Sequence, residues 1–346
     1  MLAADVRAVA APATGVSELP VAWKQIVGPV EPFLEAVTSR LSKEVKEFDG
    51  GLASFAEYAL TGQGKQLRSA LVGLVARTTG KMTDHHTTVA VIIELVHLAT
   101  LVHDDVMDEA EIRRGRLTLA ANWGNETAVL FGDCLFAQAL KLAASFPTPE
   151  ICRAVAMATK TVCSGEILQN QQRHNFHLPQ RDYFKVLKMK TGELFALSCD
   201  LGAFLNGSAP AHRAALRRFG LALGTAYQVY DDCLDLFGSE AVAGKSLGTD
   251  LIKGKPTLPV LLFWEQATVA ERAKLESLIA HWKPGCFGEV VALLNSYGTL
   301  KGSLQVLDQY LGTAREALRC FPEGRAGLLG VTDYLWRLAE SLAACG

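Results

Sequence analysis

An excess of positive charge is missing from this 346-residue sequence: 34 Lys and Arg stand against 36 Asp and Glu, a net charge of −2 with a pI near 6.5. Proteins that track a nucleic-acid backbone depend on such an excess, so no nucleic-acid partner is expected. Local clusters of cations still count, because a small anion needs only a few. Paired cysteines are missing as well. The eight Cys (134, 152, 163, 199, 233, 286, 320 and 345) form no Cys-x-x-Cys pair. That spacing excludes zinc and redox motifs, and reads as small apolar residues in a reducing compartment. Residues 1–7 place no basic segment ahead of an apolar run, so a secretory leader is not expected. The most apolar stretch, 89–102, is too short to cross a bilayer and carries Glu94 and His97. The expectation is a cytoplasmic protein without a membrane span.

Proline is absent from 33 to 146, although four of the 12 prolines lie between Pro12 and Pro32. The proline-rich beginning predicts an extended N-terminal arm over residues 1–32, and the remainder, 33–346, one domain. Within the proline-free span Leu34, Val37, Leu41 and Val45 recur at helical spacing, with Lys and Glu opposite. No alternation of strands with helices is visible, and no Asn-Gly turn joins alternating strands. The β-branched cluster 89–93 reads as strand in isolation, but it continues into Leu95, Leu98, Leu101 and Val102, which favours a buried helix. With 49% hydrophobic residues the chain can bury a large core. An all-α domain of about ten or more helices follows.

Against this background one pattern occurs twice. Asp104-Asp105-Val106-Met107-Asp108 and Asp231-Asp232-Cys233-Leu234-Asp235 each follow an apolar helical run. Residues i and i+4 share a helix face, so Asp104 projects with Asp108 and Asp231 with Asp235. Like charges so placed repel without a counter-ion. Hard oxygen donors of this kind suit Mg²⁺, which keeps waters and bridges to phosphates. A single acidic pentad is as often a solvated helix face; two, each ending a strongly apolar helix, point to the lip of a cavity. Basic residues accompany them. Gly62-Gln63-Gly64-Lys65-Gln66-Leu67-Arg68 places Lys65 and Arg68 at a helix start, where backbone N–H groups favour anions. Arg113 and Arg114 follow the first acidic motif, and Lys190-Thr191, Lys245 and Lys255 come later.

This ordered set resembles the trans-isoprenyl diphosphate synthases, the polyprenyl synthetase family. The likeness extends from Gly62 to Pro259, through Gly64 to Arg68, Leu101 to Asp108, Arg113 to Gly115, Gly132-Asp133, Lys190-Thr191, Tyr227 to Asp235 and Gly254 to Pro259. Ser69 stands where the family has proline, and Tyr227 where it often has Phe. The resemblance implies one helical bundle around a central cavity, the isoprenoid synthase fold, and a homodimer. It implies that Mg²⁺ is held by Asp104, Asp105, Asp108, Asp231 and Asp235, with Asp232 near the cluster. Arg113, Lys190, Lys245 and Lys255 would contact an allylic diphosphate. Lys65, Arg68, His97 and Arg114 would bind isopentenyl diphosphate, and Thr191 and Gln228 would lie beside the reacting carbons. His103 is expected to be a packing residue. The C-terminal residues 343–346 lack the basic tail of some shorter-chain members.

In the family, bulky side chains four and five positions before the first Asp stop product growth. Here those positions are Thr100 and Ala99, both small, so the resemblance implies a medium- or long-chain all-trans product, with geranylgeranyl diphosphate as the alternative. Val96, Ile92 or Ile93, Phe131 and Phe136 are the expected floor. A terpene cyclase is disfavoured because the second acidic motif and the Lys65/Arg68 element are intact. A non-catalytic subunit of a heteromeric synthase is the reading from another class, and two complete Asp motifs argue against it.

Overall fold

The structure is a computed structural model in which residues 19–48, 51–61, 64–243, 246–283 and 285–345 are described. Its helices are α1 (Leu19–Val27), α2 (Glu31–Lys46), α3 (Ala53–Leu60), α4 (Leu67–Thr79), α5 (Asp84–Met107), α6 (Leu119–Trp123), α7 (Asn125–Ala144), α8 (Pro149–Gln171) and α9 (Gln180–Leu187). After a π-helical turn at Lys188–Gly192 come α10 (Glu193–Phe204), α11 (Pro210–Phe237), α12 (Glu240–Ala243), α13 (Thr249–Ile252), α14 (Leu258–Gln266), α15 (Val269–Ala280), α16 (Cys286–Ser296), α17 (Thr299–Ala317) and α18 (Ala326–Cys345). Of the described residues, 79% are helical. Among the described residues the strands are one two-residue pair, β1 (Ile112–Arg113) against β2 (Arg116–Leu117). The expected all-α class is what the structure shows.

Local chemistry explains the long elements. Thr83 caps α5 in a capping box with His86, which satisfies first-turn N–H groups. The cluster 89–93 is helical because Val89, Ile92, Val96 and Ala99 line one buried side of α5. Pro149 and Pro210 fall in the first turns of α8 and α11, where no N–H is needed. α10 is buried over nearly its whole length: Phe195, Cys199 and Ala203 face a core with α11, α14, α17 and α18, whereas Leu194, Leu197 and Leu201 face a second core with α2, α5, α7 and α8. This central helix therefore joins the two cores, and the ends of α5 and α11 open beside it.

The expected N-terminal arm is corrected in part. Residues 1–18 lie outside the described residues, but 19–32 are helical, and α1 packs on α18 with the Trp23 and Tyr334 rings 5.2 Å apart. Pro29 and Pro32 misled because both occupy first-turn positions, which tolerate proline. A second correction concerns apolar runs. The stretch 89–102 is expected to be the most apolar and too short to span; among the described residues it is α7 that is long and apolar enough to cross a bilayer by length and composition. One face of it packs on α5 through Ala128, Phe131, Leu135 and Ala139.

Candidate active site

The two acidic motifs end α5 and α11, and Asp104, Asp105, Asp108, Asp231 and Asp232 border one cavity of about 1270 Å³. Leu98, Leu101, Val162, Leu194 and Leu223 supply apolar walls. Each carboxylate of the first motif meets a cation. Lys190 Nζ lies 3.6 Å from Asp104, Arg113 Nε donates to Asp105 at 2.8 Å, and Asp108 accepts from both Arg173 at 2.8 Å and Lys255 at 2.6 Å. Burial raises the Asp105 carboxyl despite Arg113. Asp108 is also penalised by burial, but Lys255 outweighs it and holds the carboxyl below its usual range.

Lys190 sits in the π-helical turn, a distortion frequent at functional sites. It pairs with Glu166 and donates to Gln169 Oε1 at 3.0 Å. Burial opposes its charge, yet Asp104 and Glu166 raise its pKa, so the ammonium is retained. Gly165 makes this possible: a Cβ there would fall 2.8 Å from the Lys190 backbone nitrogen, so only glycine lets α8 approach the turn so closely. The next residue, Thr191, donates to Gln228 Oε1 at 2.7 Å, and both border the cavity.

The second motif is used differently along its length. Asp232 is buried, accepting from Tyr183 at 2.6 Å and from Gln228 at 3.0 Å, and burial together with Asp250 pushes its carboxyl up to about 7. Asp235 departs from the expected cavity-facing role. It is 1% exposed and turned into the fold, accepting from Thr249 Oγ1 and the Asp250 N–H at 2.9 and 3.1 Å. Near the C-terminal end of α11 it braces the segment beginning α13, because a buried carboxylate needs donors and these two supply them. Lys245 lies outside the described residues, as do Gly62 and Gln63.

A second basic cluster faces the same cavity. Arg68 in the first turn of α4 is half-buried, its guanidinium 4.9 Å from the Phe195 ring and its Nε without a hydrogen-bond partner. Lys65 Nζ lies 5.0 Å from the Tyr334 ring. Arg114 occupies the tip of the β1–β2 hairpin at φ 53°, with its guanidinium against Gly64, where a Cβ would come within 2.9 Å. Arg116 pins that hairpin to α3: it lies 4.2 Å from the Tyr58 ring and donates to Thr61 O at 3.1 Å, while Tyr58 donates to Leu117 O at 2.7 Å. His97 borders the cavity, and burial followed by Arg68 and Arg114 drives its pKa well down, so the imidazole is neutral at neutral pH. Ser69 is fully buried and donates through Oγ to Glu94 at 2.6 Å, holding a carboxylate whose field favours the Arg68 charge. His103 packs against Gly132, donates through Nε2 to Val129 O at 3.0 Å, and lies 3.5 Å from Asp133.

Of the expected chain-length positions, Thr100 and Phe136 line the cavity. Val96, Ala99 and Phe131 do not; they are at most 1% exposed and packed in the α2, α5, α7 core. Sequence reading missed Glu94, Glu166, Gln169 and Arg173, all of which touch or face residues it had singled out. Glu166 and Gln169 share one face of α8 at i, i+3, directly after Gly165, which is the signal that was there.

The carboxylates here are hard oxygen donors already surrounded by cations, and among the described residues no three His, Cys, Asp or Glu side chains form a closed cage. The donor set therefore fits Mg²⁺ bridged to substrate phosphate better than an ion bound by protein alone. Carboxylates, cations and apolar walls around one cavity define a transferase site for anionic, hydrocarbon-bearing substrates. The polyprenyl synthetase family model matches residues 50–296, and the chain belongs to that family of prenyltransferases. It is 35% identical over 297 residues to heptaprenyl diphosphate synthase component 2 of Geobacillus stearothermophilus, covering 86% of this chain and 92% of that one. It is 32% identical over 277 residues to octaprenyl diphosphate synthase of Escherichia coli, covering 79% and 86%. The crystal structure of a polyprenyl synthase from Caulobacter crescentus, complexed with calcium and isoprenyl diphosphate, superposes with a TM-score of 0.87 at 32% identity, covering 91% and 97%.

Proposed function

We propose that this prenyltransferase condenses an allylic diphosphate with isopentenyl diphosphate in an Mg²⁺-dependent reaction, giving a medium- or long-chain all-trans polyprenyl diphosphate. The carrying observation is that one cavity holds two basic clusters, of which Lys190, Lys255 and Arg113 are joined to the Asp104–Asp108 carboxylates and Lys65, Arg68 and Arg114 gather elsewhere. Two diphosphates of different chemistry are what such a division suits.

In this reading the allylic C–O bond breaks with its electron pair going to the diphosphate oxygen. Lys190, Lys255 and Arg113 face that leaving group and stabilise the charge it gains. Bound Mg²⁺ would be held by Asp104, Asp105, Asp108 and Asp231, and would supply further neutralisation of the leaving oxygens. The Thr191–Gln228 pair lies beside the carbocation, and the leucine-lined walls exclude water that would quench it. The double bond of isopentenyl diphosphate then forms the new C–C bond, and a proton passes to the released diphosphate. Thr100 leaves the wall of α5 open to a growing chain, and the hepta- and octaprenyl names of the relatives support the length.

Val129, Leu130 and Leu140 of α7 and Met157 and Ile167 of α8 are exposed apolar side chains, and they support a homodimer. The seven described cysteines are unpaired, which suits the reducing cytoplasm, the location we propose. The test is incubation of the purified chain alone with farnesyl diphosphate, radiolabelled isopentenyl diphosphate and Mg²⁺. Products longer than geranylgeranyl diphosphate are expected, with loss of activity on chelation. A product ending at geranylgeranyl or shorter overturns the length assignment. A second reading comes from the relatives named component 2: the chain works with a second polypeptide. An inactive chain that gains activity with a partner would establish it.

A further inference from the structure

The family match ends at residue 296, yet the cavity is completed by α18 beyond it, through Val331, Tyr334, Leu335 and Leu338. We propose that Tyr334 is a substrate-contacting residue of the isopentenyl diphosphate pocket: its ring holds the Lys65 ammonium in place and its hydroxyl donates to the substrate diphosphate. The inference rests on the reading of the Lys65 cluster given above.

Three observations carry it. Tyr334 is 4% exposed, and its ring lies 5.0 Å from Lys65 Nζ, inside the range at which an aromatic face attracts a cation. Among the described residues Lys65 makes no ion pair, so the ring is the group that fixes this flexible side chain. The phenol also has directed company. Tyr227 and Tyr230 from α11 border the same cavity, and the Tyr334 hydroxyl is near enough to influence both. Burial raises the Tyr334 pKa, so at neutral pH it carries a proton to donate. Finally, the ring is supported from outside the family span: Trp23 of α1 packs on it at 5.2 Å and 41°. Trp23 is then a positioning residue, acting through Tyr334.

The test is steady-state kinetics on the full chain with Mg²⁺ and saturating farnesyl diphosphate, varying isopentenyl diphosphate. Tyr334→Phe should raise the KM for isopentenyl diphosphate about fivefold, the worth of one neutral hydrogen bond. Tyr334→Leu should raise it a further factor of about three by removing the cation–π contact. Trp23→Leu should shift the same KM in the same direction, and the KM for farnesyl diphosphate should stay where it was in all three. Lys65→Ala is the control. If it raises the isopentenyl diphosphate KM while Tyr334→Phe and Tyr334→Leu do not, the role of Tyr334 is overturned and the pocket assignment stands. If Lys65→Ala itself leaves that KM unchanged, both fall. A lower thermal midpoint with both KM values raised together would make Tyr334 a packing residue and also overturn the inference.

Discussion

Lys190→Met keeps the length of the side chain and removes only its charge, which makes it the sharpest probe of the cation–carboxylate cluster. The ammonium sits 3.6 Å from Asp104, with Glu166 and Gln169 also on it, and its side chain is 19% exposed. At an effective dielectric constant of about 20, unit charges at that separation attract by ~4.6 kcal/mol. Desolvation offsets part of this, so the expected loss of folding stability is about 3–5 kcal/mol, the usual result of stranding one member of a buried pair. Without the ammonium, Glu166 is left beside Asp104 and binds a proton more readily folded than unfolded. The variant should therefore recover stability as the pH falls. If Lys190 also neutralises the leaving diphosphate, kcat should drop about 10²–10³-fold. Urea denaturation in EDTA reads the first effect and single-turnover kinetics the second. The double variant Lys190→Met/Glu166→Gln separates them, because it removes the stranded carboxylate without restoring the cation. Stability should return and kcat should not. A double variant that regains kcat along with stability refutes a chemical role for Lys190.

Three further outcomes follow from neighbouring groups. Asp232 holds its proton in the folded state up to about 7 but releases it near 3.8 when unfolded, so native stability is lost as the pH rises through that window. Asp232→Asn sacrifices the Tyr183 hydrogen bond, about 1 kcal/mol, but removes that loss; thermal midpoints in EDTA should favour the variant above neutral pH and the wild type in acid. Ser69→Ala releases Glu94 from a 2.6 Å contact in a fully buried site, and should cost about 1.5–3 kcal/mol in urea denaturation; an unchanged midpoint would show that water replaces the hydroxyl. Thr100→Phe should shorten the polyprenyl product, visible by radio-chromatography, whereas Ala99→Phe should lower stability by about 1–3 kcal/mol through overpacking.

The all-α class and the shared cavity were legible because both rest on local patterns: apolar spacing, first-turn prolines and two carboxylate pairs each closing an apolar helix. The cations were legible for the same reason, since Lys65, Arg68, Arg113 and Arg114 lie beside the motifs they serve. Glu166, Gln169, Arg173 and Tyr334 were not, because each reaches its partner across the fold. Arg173 meets Asp108 from a loop 65 residues away, and Tyr334 meets Lys65 from α18. A single sequence carries no record of such pairings beyond small hints, such as the glycine at 165 that admits the Lys190 turn.

Asp235 and Ala99 show a second limit, which helical geometry explains. Successive residues on an α-helix differ by about 100° in direction, so a motif read as five adjacent letters spans more than a full turn. Asp235 shares a helix face with Asp231 but lies one turn nearer the end of α11, where the Thr249 hydroxyl and the Asp250 N–H hold it, so its place along the helix rather than its direction takes it from the cavity. Rotation does separate Thr100 from Ala99: only the first lines the cavity, and the second lies in the core that α5 shares with α2 and α7. Two neighbouring positions cannot set product length by the same physical means. Bulk at 100 occupies the channel directly. Bulk at 99 acts on the channel only by displacing α5, and must first overcome the packing of the core.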